Sequence, residues 1–348
     1  MTRTWRLVVL TALGLALAAP AGAASFKGQT LRVQFWGGAD GTVIQKHVVD
    51  PFVKETGATV VVENGNTSAS IAKARAQKND PQIDVIFLDD IGVLTLARED
   101  ILEKLDLSKM PQAKEIHPTY RIGDGYGIGM FNYITTILYN DKLVTSPPKS
   151  WKDLWDPRYK GKVLVTPITH TQGLLLTVMA ARLGGGSLDN LSPAWPKLRE
   201  LRPNIHSQVE NRAVGAELLK SGEALLSVEI PYYYKAYIER GYPIAMTTDL
   251  AEGYFSITGS ACLVKGGKAS RELAHAFINR ALTAEAQSGL AEDLWYGPTN
   301  PNAKLSPQAA RFMVHKPEQY VRALQVDRLK LLELRPMIID EWNKLMTQ

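Results

Sequence analysis

Three short apolar segments dominate the first ninety residues after the leader: "LRVQFW" (Leu31 to Trp36), "TVVVE" (Thr59 to Glu63) and the run from Asp84 to Leu88. Two helix-length stretches, Val43 to Glu55 and Ser68 to Gln77, separate them. A chain that alternates strand and helix with loops this short has few ways to bury both faces of its strands. It predicts an α/β fold built on a parallel sheet with helices on each side. In such sheets ligands sit outside the carboxyl ends of the strands. Those ends read "WGGADG" (Trp36 to Gly41), "ENGNTSAS" (Glu63 to Ser70) and "LDDIG" (Leu88 to Gly92).

The pattern then starts again. "GDGYGIGMFNYITTILYN" (Gly123 to Asn140) alternates glycine with larger residues but lacks both a following helix and a GKS or GKT motif, so it predicts an extended crossing and not a phosphate cradle. From Lys162 a second unit runs through the strand "KVLVTP", the loop "ITHTQ" and the apolar helix "GLLLTVMAARLG". "EALLSVEIP" (Glu223 to Pro231) repeats the strand-then-loop order ahead of "YYYKAYIERG". "YFSITGSACLV" (Tyr254 to Val264) crosses back, and amphipathic helices are expected over 270–291 and 317–345. Two α/β lobes joined by two crossing strands, with a cleft between them, follow from this order. The length also favours two cores over one.

Arg3 and Arg6 precede an uncharged run, Leu7 to Ala19, that ends in Pro20-Ala21-Gly22-Ala23-Ala24. That run is too short for a mature membrane span, and the small residues at Ala21 and Ala23 fit a cleavage site, so residues 1–23 read as an export signal. Cys262, the single cysteine, lies far from that site, which excludes a lipid anchor there and an intramolecular disulfide. The expected product is a soluble monomer of an oxidising compartment. Removing the two leader arginines lowers the net charge from +5 to +3, and acids and bases are interleaved, so a polyanion binder is not indicated.

"SWKDLWDPRYKGKVLVTP" (Ser150 to Pro167) tests that exclusion, because its aromatic and basic residues could line a nucleic-acid surface. The helical spacing of Trp151, Leu154 and Trp155 behind Ser150 predicts a capped helix sealed onto a sheet, broken at Pro157.

This run, together with "ILYNDKLV", the early "QFWGGADG…PFVKETGATVVV" and the late "YGPTNPNA" (Tyr296 to Ala303), resembles the periplasmic solute-binding proteins of bacterial ABC importers, in the branch of the spermidine/putrescine-binding proteins. The resemblance covers essentially the whole chain after the leader. It implies the two-lobed periplasmic-binding-protein fold, a small-molecule ligand, a membrane permease as partner and the periplasm as location. It also implies a discontinuous first lobe, 25–132 plus 258–303, a second lobe over 133–257, and C-terminal helices over 304–348 packed on both.

Site residues follow from the same resemblance. Trp36 matches the aromatic position set against a polyamine's chain, and a ring face suits an aliphatic stem or a cation. Asp89 and Asp90 follow the third strand; one is expected to cap the next helix and the other to face the cleft, where adjacent carboxylates favour an amine or a metal. In the second lobe the polyamine pattern breaks. Thr166, Thr169, His170, Thr171 and Gln172 stand where acids are expected, and Thr258 stands in place of an aspartate. Hydroxyls opening a helix suit an anion, while Glu229 returns one acid and Tyr232 or Tyr233 offers a cleft wall. The pocket is thus expected to be acidic on one wall and hydroxyl-rich on the other, suited to a polyamine, a short amine or a zwitterion such as an aminophosphonate.

Two other readings stay open at this level. Tyr232, Tyr233, Tyr234 and Tyr237 resemble the tyrosine stretch of ferric-binding relatives, although no histidine closes the first strand, and His47, His117, His170, His206, His275 and His315 lack ligand spacing. An exported enzyme would need a nucleophile elbow, a zinc motif or a dinucleotide fingerprint; none occurs, and His170 is the one candidate base. No cofactor, resident metal or catalytic set is therefore expected. Closure about Asn132 to Thr136 and Ser256 to Ser260 is the expected motion.

Overall fold

The computed structural model describes residues 25–347; the export-signal expectation falls outside them. Eleven strands are found among the described residues: β1 (Thr30–Trp36), β2 (Thr59–Gly65), β3 (Val85–Asp89), β4 (Leu102–Glu103), β5 (Arg121–Ile122), β6 (Gly127–Asn140), β7 (Val163–Val165), β8 (Ile205–Gln208), β9 (Leu226–Glu229), β10 (Ile244–Met246) and β11 (Phe255–Val264). Eight of them form one continuous path in the order β2-β1-β3-β11-β6-β9-β7-β8, with β5 and β10 paired to β6 and β4 paired to β11 off that path. β1 runs parallel to β2 and β3, and β7 runs parallel to β8 and β9, so each end of the path is a small parallel sheet.

The two ends are joined by β6 and β11. β6 is long enough to serve both: Gly127 to Thr135 pairs with β11, whereas Thr136 to Tyr139 pairs with β9. β11 in turn continues from β6 onto β3 through Gly259 to Leu263. The glycine-rich stretch is thus an extended crossing, as its lack of a following helix implied, and Thr135 and Thr136 mark the change of partner.

The inner strands of each parallel sheet, β1 and β3, β7 and β9, are largely buried on both faces, whereas the edge strands β2 and β8 stay partly exposed. In the first half Phe35, Phe52, Phe87 and Phe277 pack on one face, and Val93, Leu96 and Cys262 pack with Ile86 and Leu88 on the other. The second half has its own core around Trp151, Val163, Leu175, Val178 and Trp342. This is the two-lobed α/β architecture expected from the sequence.

Local chemistry explains where the elements depart from the simple periodic pattern. The first helical stretch starts earlier than Val43, at Gly38, and passes through a π turn, Gln45–Val49, before Asp50–Thr56. Pro51, which has no amide to donate, follows that widened turn. The expected helix over 270–291 is two, Arg271–Ala281 and Ala284–Leu294, because Thr283 caps the second by accepting from the Ala286 amide. The one over 317–345 is a short turn, Pro317–Tyr320, and a separate helix, Arg328–Thr347.

Ser150 caps as predicted, but the element is a 3-10 turn, Trp151–Trp155, followed by a second, Pro157–Tyr159. Trp151 is fully buried, donates to the Gly253 carbonyl at 2.8 Å and packs edge-on against Phe255. Its aromatics seal the second half; they do not form a stacking surface. Among the described residues no helix is long and apolar enough to cross a membrane.

Candidate functional site

β1 ends at Trp36 and the chain turns at once into the helix Gly38–Ile44, whose first turn carries Asp40. Gly41 permits that turn: a Cβ there would lie 2.6 Å from the Trp36 carbonyl oxygen. The indole of Trp36 donates to Thr67 Oγ1 (3.2 Å), which donates to Asp89 Oδ2 (3.1 Å), so the ring is held by the loop after β2 and the end of β3.

Phe131 and Tyr133 project from β6 on the same side of the strand. Phe131 lies across Gly259 of β11, where a Cβ would come within 2.2 Å of its ring. Tyr296, after the helix Ala284–Leu294, stacks on Phe131 at 4.6 Å and stands 5.5 Å from Tyr133. From the second half Tyr232 reaches Tyr296 at 4.9 Å, with Tyr233 beside it at 5.3 Å. These rings, Trp36, Ile230 and Asp40 enclose a cavity of about 140 Å³ between the two halves.

Asp40 is the carboxylate of this pocket. Burial pushes its carboxyl above the ordinary value, and the hydrogen bond that Tyr296 Oη donates at 2.9 Å opposes the shift. A partly desolvated carboxylate framed by ring faces attracts a cation strongly and leaves an anion unmatched. Its volume, below the ~300–1,000 Å³ of drug-sized sites, suits one small head group.

The residues singled out from sequence divide into two sets. Trp36 and Tyr232 line the pocket. Asp89 caps the helix Asp90–Arg98 through the Gly92 amide at 3.0 Å, and with Thr67 donating to its other oxygen both carboxylate oxygens are engaged at the strand end. Asp90 is paired with Arg328 (Nε to Oδ2, 3.3 Å) and lines a separate cavity of about 60 Å³ with Thr258, Ser256 and Tyr120. One buried cation, Arg328, stands beside the two acids of the expected wall and offsets part of their charge.

The second half shows the same economy of charge. Thr166 donates to the Val228 carbonyl at 2.9 Å and is buried. Glu229 is buried too, accepting from the Ile230 amide and from Arg212 Nε at 3.2 Å. Burial raises its carboxyl while Arg212 pulls it down. The Arg212 guanidinium also stacks on Tyr233, 4.5 Å from the ring centre. His170 precedes the helix Thr171–Leu183, with Nε2 3.6 Å from Glu210, and Thr171 begins that helix.

Sequence reasoning missed Asp40, Phe131, Tyr133 and Tyr296 as pocket residues, while Tyr233, its alternative to Tyr232 as a cleft wall, lines the pocket as well. A signal for Asp40 was available, since it lies within the strand-end loop "WGGADG" already picked out as ligand-facing.

Comparison with known proteins decides the family. A family model described as bacterial extracellular solute-binding protein matches residues 47–313. The chain belongs to that family. A Haemophilus influenzae spermidine/putrescine-binding periplasmic protein is 29% identical over 168 residues, 46% of this chain and 47% of that protein, so the match spans about half of that relative's length. A Salmonella typhimurium periplasmic protein named for 2-aminoethylphosphonate is 25% identical over 254 residues, 71% of each chain. Among solved structures, an ABC transporter protein from Clostridium perfringens superposes with a TM-score of 0.79 and 27% identity, covering 91% of this chain and 99% of that one. For an extracellular solute-binding protein, a pocket at the strand ends between two sheets is where a solute is expected to sit.

Proposed function

We propose that this chain is the solute-capture component of a bacterial ABC importer, working in the periplasm, that closes its two halves over a small amine-bearing solute and delivers it to a membrane permease. The observation that carries the reading is Asp40, an acid pulled into a box of aromatic rings drawn from both halves. An ammonium group there gains a counter-charge and several ring faces at once. With Asp90 and Glu229 each paired to an arginine and Asp89 held by neutral donors, one cationic group is matched better than the two or more of a polyamine.

A zwitterion stays within this class, since a relative 25% identical is named for 2-aminoethylphosphonate; Arg212 stacks on the pocket residue Tyr233 from outside the cavity and would have to share its pairing with Glu229 to meet the solute's anionic end. Capture involves no chemistry on the solute; it should leave the protein unchanged.

A thermal-unfolding screen tests the reading, with the metal-free protein against monoamines, amino acids, 2-aminoethylphosphonate, putrescine, spermidine and ferric citrate. A micromolar ligand at millimolar concentration adds about 4 kcal/mol, a rise of several degrees. The expected hits contain an ammonium group and a short chain. A rise with ferric citrate alone would replace the amine with iron.

A further inference from the structure

Asp40 and Tyr296 belong to two helical stretches that run against each other in opposite directions. Asp40 opens one, Gly38–Ile44 continuing into the π turn Gln45–Val49, and Tyr296 follows the other, Ala284–Leu294. His47 lies seven residues beyond Asp40, and Gly289 lies seven residues before Tyr296. The two meet: a Cβ on Gly289 would lie 2.1 Å from His47 Nδ1, so the imidazole occupies a notch that a larger residue would fill. From that seat His47 Nε2 donates to Asp293 Oδ2 at 2.8 Å, and Lys46 Nζ reaches the same oxygen at 2.8 Å. The wide π turn thus sends two consecutive side chains to one carboxylate, which stands one turn along the opposing helix from the notch.

Tyr296 moves with its helix. The Trp295 amide closes the last turn onto the Ala291 carbonyl at 2.8 Å, and Gln287 Oε1 accepts from the Thr299 and Asn300 amides at 2.7 and 2.9 Å, tying the loop back onto the helix it leaves. Trp295 is held in the left-handed conformation there (φ 55°), with its ring stacked on Phe312 at 4.7 Å. Asp40 likewise moves with its own helix. The contact between the two groups therefore depends on how far one helix stands along the other, and the notch fixes that register. One turn is about 5.4 Å, and a slip of about half of it takes a hydrogen bond out of range. His47 and Asp293 keep 22% and 34% of their side-chain surface exposed, so their pair contributes little to stability. Its effect is positional.

We propose that His47, seated on Gly289 and bonded to Asp293, is a positioning residue: it sets the helix register that holds Tyr296 Oη on Asp40, and through that bond the affinity for an ammonium group. The inference rests on the reading of Asp40 as the carboxylate that receives the solute, and it adds a residue that does not line the pocket.

Ligand-free crystal structures test the register whatever solute binds. In Gly289→Ala the added methyl group takes the place of the ring while helix propensity improves, so the fold should persist. In that variant and in His47→Ala, Tyr296 Oη should stand more than about 3.5 Å from Asp40. His47→Gln, which keeps a donor for Asp293, should retain the bond. Gly289→Ala and His47→Ala structures that both keep the Tyr296–Asp40 bond would overturn the proposal. Titration with 2-aminoethylphosphonate reads the consequence: the dissociation constant should rise about fivefold in Gly289→Ala, and should rise no further when Gly289→Ala is added to Tyr296→Phe. A rise of the same size on the Tyr296→Phe background would assign the loss to packing and overturn the positioning role. Absence of 2-aminoethylphosphonate binding in the parent counts against that solute and not against the register, which the crystal structures decide.

Discussion

Tyr296 Oη donates a 2.9 Å hydrogen bond to Asp40 Oδ1 across 256 positions of sequence, joining the loop after one helix to the first turn of another. The bond orients the one unpaired acid of the aromatic pocket and fixes a ring that also touches Phe131, Tyr133 and Tyr232. Everything proposed about the solute passes through this pair.

Tyr296→Phe keeps the ring and deletes the bond. A net hydrogen bond contributes about 1 kcal/mol, so affinity for the amine solute should fall about fivefold while the melting temperature changes little. Isothermal titration of the two proteins checks it; a variant with parental affinity would show that Asp40 needs no orienting donor.

Gly259→Ala places a methyl group where the Phe131 ring now lies. The ring must leave its stack with Tyr296, so affinity should drop further than in Tyr296→Phe. The unfolding midpoint should fall as well, by the ~1–3 kcal/mol typical of overpacking. Unchanged binding would mean that Phe131 is packing alone.

Trp151→Ala addresses the second half. The side chain is fully buried and its indole donates to Gly253, so its removal should cost about 3–5 kcal/mol in urea unfolding. Binding by the folded fraction should persist, since Trp151 lies outside the pocket. A loss below about 1 kcal/mol would contradict the packing role.

Asp90 makes a pH prediction. Burial, the largest influence, outweighs the opposing pull of Arg328, and with Asp89 adding repulsion the carboxyl is pushed up from 3.8 to about 6. The folded chain thus holds the Asp90 proton more tightly than the unfolded chain does. Its contribution is most favourable below pH 4 and is lost as pH rises from about 4 to about 6. Compared with Asp90→Asn at pH 4 and pH 7, the parent should lose relative stability on going up. A difference that stays constant, or moves the other way, would refute this assignment.

The architecture was legible because periodicity alone separates "LRVQFW" or "TVVVE" from the helices between them, and because a glycine-alternating run with no helix behind it has to be extended. Helix breaks were less so: Thr283 and the residues between Tyr320 and Arg328 interrupt patterns that look continuous, since a cap competes with the helix only once its amide partner is placed. Trp36 and Tyr232, both picked out from the sequence, line the aromatic pocket, Trp36 from the end of β1 and Tyr232 from the turn after β9. The charges were not legible, because whether Asp90 or Glu229 is free depends on Arg328 and Arg212, which lie 238 and 17 positions away and reach them only through the folded chain. Convergence of Phe131, Tyr133 and Tyr296 is likewise a tertiary fact.

The central claim is that one cation of the solute is held by Asp40 inside the aromatic box. Isothermal titration of the parent and of Asp40→Asn with the strongest ammonium-containing hit of the thermal screen tests it most directly. Loss of a charge-assisted contact of about 1.5–3 kcal/mol predicts a dissociation constant about tenfold or more higher for the variant. Equal dissociation constants for the two proteins would contradict the account.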